Sequence, residues 1–220
     1  MKADQATLPR ILVLASGSGT NLQALIDATR GRDFPGQIIA LGCNQPRAFA
    51  LERARQANVE TFVVNHNDFG SREEFDAALT AHILRHNPDL IVLAGFMRIL
   101  TAGFVRAFRG KLVNIHPSLL PRYTGLNTHQ RALNAGDQTH GVSVHFVTEE
   151  LDGGPVIAQA EVAITAEDTA ETLAEKIQKK EHLLYPIVVR WFCEGRIQLG
   201  RDHLLFDGQV VETPMRLPDN

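Results

Sequence analysis

The chain has 220 residues, with 22 Lys and Arg against 25 Asp and Glu, a formal net charge of −3, 44% hydrophobic residues and 21% charged residues. That balance excludes a disordered polar chain, a collagen-like repeat and a coiled coil, and it leaves no sequence-wide positive charge to draw in nucleic acid or an anionic membrane. The longest apolar stretch, residues 90–97, falls far short of the roughly 20 residues of a membrane-spanning helix. Residues 11–15 are too few for a signal-peptide core. Cys43 and Cys193 have neither metal-ligand nor redox spacing, so both read as free thiols of a cytoplasmic protein.

Short β-branched runs alternate with helical patterns from Arg10 onward, the signature of a parallel sheet wrapped by helices. Residues 11–14 form a continuous apolar strand, as expected when both faces are covered, and Leu22, Leu25, Ile26 and Thr29 then recur at helical spacing. Residues 37–43 predict a second strand, 47–57 a second helix and 61–64 a third strand. Ser71 with Glu74 predicts a capping box opening a third helix, whose stripe runs through Phe75, Ala78, Leu79, His82 and Ile83. Residues 89–93 predict a fourth strand.

Further along, residues 111–115, 142–148 and 155–164 read as strands, the last two joined by a hairpin at Asp152-Gly153-Gly154. A long helix capped by Asp168 with Glu171 follows, with a kink or break expected at Pro186. Residues 196–199 and 204–206 predict a terminal hairpin, and the segment after Glu212 a loose tail. The fold class is therefore α/β: a Rossmann-like open sheet, parallel in the N-terminal half and mixed with antiparallel strands in the C-terminal half. Residues 1–220 read as one domain, with halves at about 9–108 and 109–208.

The loop Ser16-Gly17-Ser18-Gly19-Thr20-Asn21 lies between the first strand and the first helix, where backbone amides and a helix N-terminus make an anion site. It lacks the third glycine of a dinucleotide fingerprint and the Gly-Lys-Ser/Thr of a P-loop. A monophosphate cradle and a turn that merely needs glycine both remain open. In Leu112-Val113-Asn114-Ile115-His116-Pro117 the alternation of a strand puts Asn114 and His116 on one face, roughly 7 Å apart along the strand. They sit at the C-terminal end, where open α/β sheets bind ligands. An amide donor beside an imidazole suits oxyanion stabilisation and proton movement in acyl transfer. The alternative is a strand-end histidine bonded to nearby backbone.

Asp152 is either a turn residue or a carboxylate brought against His116. Leu173, Ile177, Glu181, Leu184 and Val188 fall within about 80° of one another on a helical wheel, which sets a carboxylate on an apolar stripe. A bound partner, a raised pKa or an edge salt bridge would each account for it. Arg98 follows the fourth strand as a ligand contact or as a solvated side chain. Phe96, Met97, Ile99 and Leu100 by themselves read as core.

Asn114-Ile115-His116-Pro117-Ser118-Leu119-Leu120-Pro121, residues 140–147 and Leu151-Asp152-Gly153-Gly154-Pro155 together resemble the formyltransferases that use 10-formyltetrahydrofolate. Residues 16–25, 94–100 and 181–191 are similar to the branch that formylates glycinamide ribonucleotide in purine biosynthesis, so the resemblance spans nearly the whole chain. It implies that Asn114, His116 and Asp152 are catalytic, that Gly19, Thr20 and Asn21 hold the ribonucleotide phosphate, and that Glu181 binds the ribose hydroxyls. The folate would lie along Phe96, Met97, Arg98, Ile99 and Leu100 on one side and Thr148, Glu149 and Asp152 on the other. Asn114 would touch it, and Arg72 would stand near its glutamate tail.

Relatives often carry Pro and His at the positions of Thr124 and Asn127, so the conformation of residues 123–140 is left open. The resemblance implies no metal, nucleic acid or membrane partner. It also implies neither of the extra domains carried by the related tRNA formyltransferase and deformylase. A hydrolase passing the formyl group to water, and a non-catalytic nucleotide-binding module, are the rival functions.

Overall fold

The structure, a computed structural model, describes residues 8–217. β1 (Arg10–Ala15) leads through the glycine loop into α1 (Thr20–Thr29), followed by β2 (Gln37–Cys43), α2 (Phe49–Gln56) and β3 (Glu60–Val63). A short 3-10 turn (His66–Asp68) precedes α3 (Arg72–His86), β4 (Leu90–Leu93), α4 (Ala102–Ala107), β5 (Leu112–His116) and α5 (Thr128–Asn134). Then come β6 (Thr139–Phe146), β7 (Val156–Ala163), α6 (Ala170–Cys193), β8 (Ile197–Leu199), β9 (Leu204–Phe206), β10 (Gln209–Val211) and β11 (Met215–Arg216).

The main sheet has eight strands in the order β11-β7-β6-β5-β4-β1-β2-β3. β3, β2, β1, β4 and β5 pair in parallel, and β6 runs against β5 and β7. The expected mixed α/β sheet is therefore observed. Alternation along β1 explains its apolar run: Ile11, Val13 and Ala15 join the core under α1, α2 and α6, whereas Leu12 and Leu14 join the core under α3 and α4. The order reverses at β1, between β2 and β4, which opens a crevice at the strand C-termini where such sheets take ligands. Tyr185 of α6 closes one wall: its buried hydroxyl donates to the Leu93 carbonyl (2.9 Å), fixing α6 over the ends of the central strands.

Several sequence expectations are corrected. Asp168 does not cap α6; Thr169 does, in a reciprocal pair with Thr172, because the Asp168 carboxylate is taken up by the Thr165 amide and Lys176. At α3 Ser71 accepts from the Glu74 amide as expected, but Glu74 turns back to the Gly70 amide rather than to its own cap. Pro186 does not break α6, which runs through it while its flanks, Leu184, Tyr185, Val188 and Val189, are fully buried. That packing outweighs one missing helical hydrogen bond. β6 ends at Phe146, so the antiparallel pair is joined by a longer loop, residues 147–155, and not by a tight Asp-Gly-Gly hairpin. The C-terminal hairpin gains β10 as a third strand. Part of the segment read as a loose tail is instead ordered, because β11 adds to the edge of the main sheet beside β7; residues 218–220 lie outside the described residues.

Candidate active site

The glycine loop and the segment after β4 meet across the crevice. The Ser16 amide donates to the Gly95 carbonyl (3.1 Å), the Met97 amide donates to Ser16 Oγ (2.7 Å), and that hydroxyl donates to Asn44 Oδ1 (2.6 Å). Gly19 adopts φ 72°, and a Cβ there would stand 2.7 Å from the Ala50 Cβ, so both backbone and space require glycine. These contacts border a cavity of about 310 Å³ lined by Ser18, Gly19, Thr20, Asn21, Gln178 and Glu181, among others. Gln178, which sequence reasoning did not single out, donates to Thr20 Oγ1 (3.3 Å) from the α6 wall.

Glu181 lies on the expected stripe but at its open edge, half-buried and facing this cavity. It is not unpartnered: Asn21 Nδ2 donates to its Oε2 (2.8 Å). Burial holds its carboxyl above the usual carboxylate range, with Asn21 opposing. The contribution of such a raised acid to stability is present at pH values below its ordinary pKa and is lost as pH rises through the folded value. At neutral pH the charge therefore gives ligand-free protein no stability. Gln at this position can still accept from Asn21, so Glu181→Gln is expected to leave or raise the melting temperature of the free protein. A lower melting temperature would instead show that the charge is held by a structural partner.

Asn114, His116 and Asp152 come together at the end of β5. His116 Nδ1 faces Asp152 Oδ2 at 3.4 Å, and its Nε2 donates to the Tyr123 carbonyl (2.8 Å). Both ring nitrogens therefore face oxygen atoms, the Tyr123 carbonyl in a hydrogen bond and the Asp152 carboxylate at ion-pair range. Asp152 stands at φ 53°, a left-handed conformation that Asp tolerates, and its Oδ2 also accepts from the Gly125 amide (2.8 Å). Residues 123–127 thus bind both members of the pair, and Arg131 Nη1 ties them down through the Thr124 carbonyl (2.6 Å).

His145 was missed from sequence. It lies directly opposite Asn114 across the β5–β6 pair. Its Nδ1 donates to the Phe146 carbonyl (2.9 Å), which leaves Nε2 to accept from Asn114 Nδ2 (3.2 Å) and to face Asp152 Oδ1 at 3.8 Å. One N–H of the Asn114 amide remains for a ligand. Burial pushes the His145 pKa down to about 4, so the ring is neutral and holds the amide the right way round.

His140, equally buried, is also pushed down to about 4. Imidazoles of the unfolded chain take up protons near pH 6.5 and these two only near 4. The unfolded state then binds more protons between those values, so stability rises with pH across that window. Urea midpoints of Glu181→Gln, which lacks the opposing titration of the raised Glu181 carboxyl, are expected to climb between about pH 4 and 7, and a flat profile would contradict the buried neutral rings.

The remaining expected residues divide. Phe96 is buried with Leu100 packed on the same cluster, as the plain core reading had it. Met97 and Ile99 are 69% and 58% exposed beside the crevice, and Leu151 on the opposing loop is 55% exposed. The Arg98 guanidinium stacks over Phe75 (5.7 Å), with its Nε buried and unpartnered among the described residues. Arg72 is exposed at the start of α3. Glu149 pairs with Arg106 (2.9 Å), and with Thr148 it lines a second cavity of about 440 Å³ that residues 96–100 do not reach. Among the described residues no group of three or more His, Cys, Asp and Glu is placed to hold a metal ion. Cys43 and Cys193 are free.

A carboxylate-imidazole-amide cluster thus lies beside the glycine loop at the switch point of an open sheet, and the chain belongs to the formyl transferase family, whose model matches residues 9–189. Within that family it is similar to the phosphoribosylglycinamide formyltransferases. That of Escherichia coli (strain K12) is 50% identical over 199 residues, 90% of this chain and 94% of the relative. That of Haemophilus influenzae is 45% identical, covering 93% and 96%. The solved structure of the phosphoribosylglycinamide formyltransferase from Coxiella burnetii superimposes with a TM-score of 0.91 at 46% identity, covering 96% of this chain and 100% of that one.

Proposed function

We propose that residues 1–220 form one formyltransferase domain that moves a formyl group from 10-formyltetrahydrofolate to the primary amine of glycinamide ribonucleotide, a step of purine biosynthesis. The observation that carries this reading is the convergence of Asn114, His116 and Asp152 beside the glycine-loop cavity. Gly19, Thr20 and Asn21 hold the phosphate by backbone amides and the N-terminus of α1. Glu181 accepts from the ribose hydroxyls. The folate ring system lies against the exposed apolar side chains of Met97, Ile99 and Leu151, flanked by Phe96, Leu100 and Asp152, with Arg72 and Arg98 available to its glutamate carboxylates; Thr148 and Glu149, which line the separate cavity, do not join that surface.

In the reaction the neutral amine attacks the formyl carbon, and the carbonyl oxygen gains the displaced electron pair. The free Asn114 N–H donates to that oxyanion, and His116 Nε2–H becomes the second donor once it leaves the Tyr123 carbonyl. Collapse re-forms the carbonyl and breaks the bond to the folate nitrogen. The amine must lose one proton and the departing nitrogen gain one, and the Asp152 carboxylate, through a water, carries it between them.

The fate of a carbon label tests the reading. With 10-formyltetrahydrofolate labelled at the formyl carbon, the label is expected on the nucleotide amine, one per tetrahydrofolate formed. Label recovered as formate would make the chain a hydrolase, and no loss of label from the folate would leave a binding module.

A further inference from the structure

The cavity read above as a phosphate cradle has no Lys or Arg among its described lining residues, and its one ionisable lining group, Glu181, is acidic. A phosphate monoester brings a charge of about −1.5 to −2 near neutral pH. Beyond the backbone amides and the N-terminus of α1, a cation that does not itself line the cavity would offset that charge.

α2 supplies one from behind the loop. The Ala50 amide donates to the Gly17 carbonyl (3.1 Å), and Arg53 Nε donates to the Ser18 carbonyl (2.8 Å). In a trans peptide the N–H points opposite to the C=O. Drawing these two carbonyls onto α2 therefore turns the amides of Ser18 and Gly19 away from α2, on the side where both residues line the cavity. Arg53 is itself fixed: Nη1 donates to Gln23 Oε1 (3.3 Å), the guanidinium lies over the Phe49 ring (5.0 Å), and a Cβ on Gly19 would meet Arg53 Cδ at 3.4 Å. Its charge is felt as far as α6, where it adds to burial in lowering the pKa of His182, one turn beyond Gln178.

We propose that Arg53 is a positioning residue for the nucleotide phosphate, turning the Ser18–Gly19 peptide toward the cavity and offsetting the phosphate charge from behind the loop. This rests on reading the glycine loop as the phosphate cradle. It makes Arg53 a determinant of specificity for a phosphorylated acceptor, although the side chain does not line the site.

The test compares two acceptors, glycinamide ribonucleotide and the corresponding ribonucleoside without its phosphate, in wild-type enzyme and in Arg53→Gln, Arg53→Met and Arg53→Lys. The readout is the ratio of kcat/KM for the two. A merely structural role would lower both values and leave the ratio alone. The ratio is expected to fall about tenfold in the two neutral variants, the scale of one lost charge-assisted interaction, and to recover partly in Arg53→Lys, with the folate KM unchanged throughout. A wild-type ratio in either neutral variant that folds would overturn the assignment of Arg53. Equal kcat/KM for both acceptors in the wild-type enzyme would instead overturn the cradle reading on which it rests.

Discussion

Asp152→Asn is expected to lower kcat by about 10²- to 10⁴-fold, the range for loss of a positioned proton-transfer group, with both substrate dissociation constants close to wild type. The substitution nearly keeps the shape of the side chain but removes its charge and its basic site. The Gly125 amide can still donate to the remaining oxygen, so the loop over the site keeps that anchor. The His116 ring, however, loses the carboxylate that stands 3.4 Å from Nδ1 and orients it. An interaction made mainly in the transition state appears in kcat rather than in affinity. A variant within about threefold of wild-type kcat would reduce Asp152 to a turn residue on that scale.

Asn114→Ala is expected to cost about 10²- to 10³-fold in kcat, as removal of an oxyanion donor does elsewhere. It carries a second, separable consequence. His145 Nε2 loses its donor while its ring stays buried, and an orphaned buried acceptor costs about 1–3 kcal/mol. Melting temperature should therefore fall together with kcat. A stable variant with lost activity would show that the Asn114–His145 bond does not hold the amide, and a destabilised variant with near-normal kcat would remove Asn114 from the chemistry.

The parts of this architecture that were legible in sequence are those set by local pattern. The apolar run of β1 followed by Gly17 and Gly19 could hardly be anything but a strand feeding a helix through a tight loop. The period of two on β5 put Asn114 and His116 on one side before any partner was known. What escaped was long-range. His145 sits in the run Val142-Ser143-Val144-His145-Phe146 and reads there as one more strand residue; only the register of β6 against β5 makes it the partner of Asn114. No short turn sets that register, because residues 117–138 separate the two strands, so alternation along β6 could give only the face on which His145 lies.

Other misses follow the same rule. Pro186 carries a strong local signal for a helix end, yet the packing of α6 across the sheet overrides it. Met215 and Arg216 carry no strand signal of their own and are ordered by the open edge of β7. Glu181 was correctly placed on its stripe, but its bond to Asn21 depends on how α6 and α1 meet.

The measurement that bears most directly on the central claim, that Asn114, His116 and Asp152 act as one catalytic unit, is kcat for the double variant Asn114→Ala/Asp152→Asn beside its two single variants. Groups that act together are strongly non-additive, because once one is gone the others have little left to do. The loss in the double variant is expected to lie close to that of the worse single variant. A loss equal to the product of the two single losses would contradict it, showing two independent contributions where the geometry implies one.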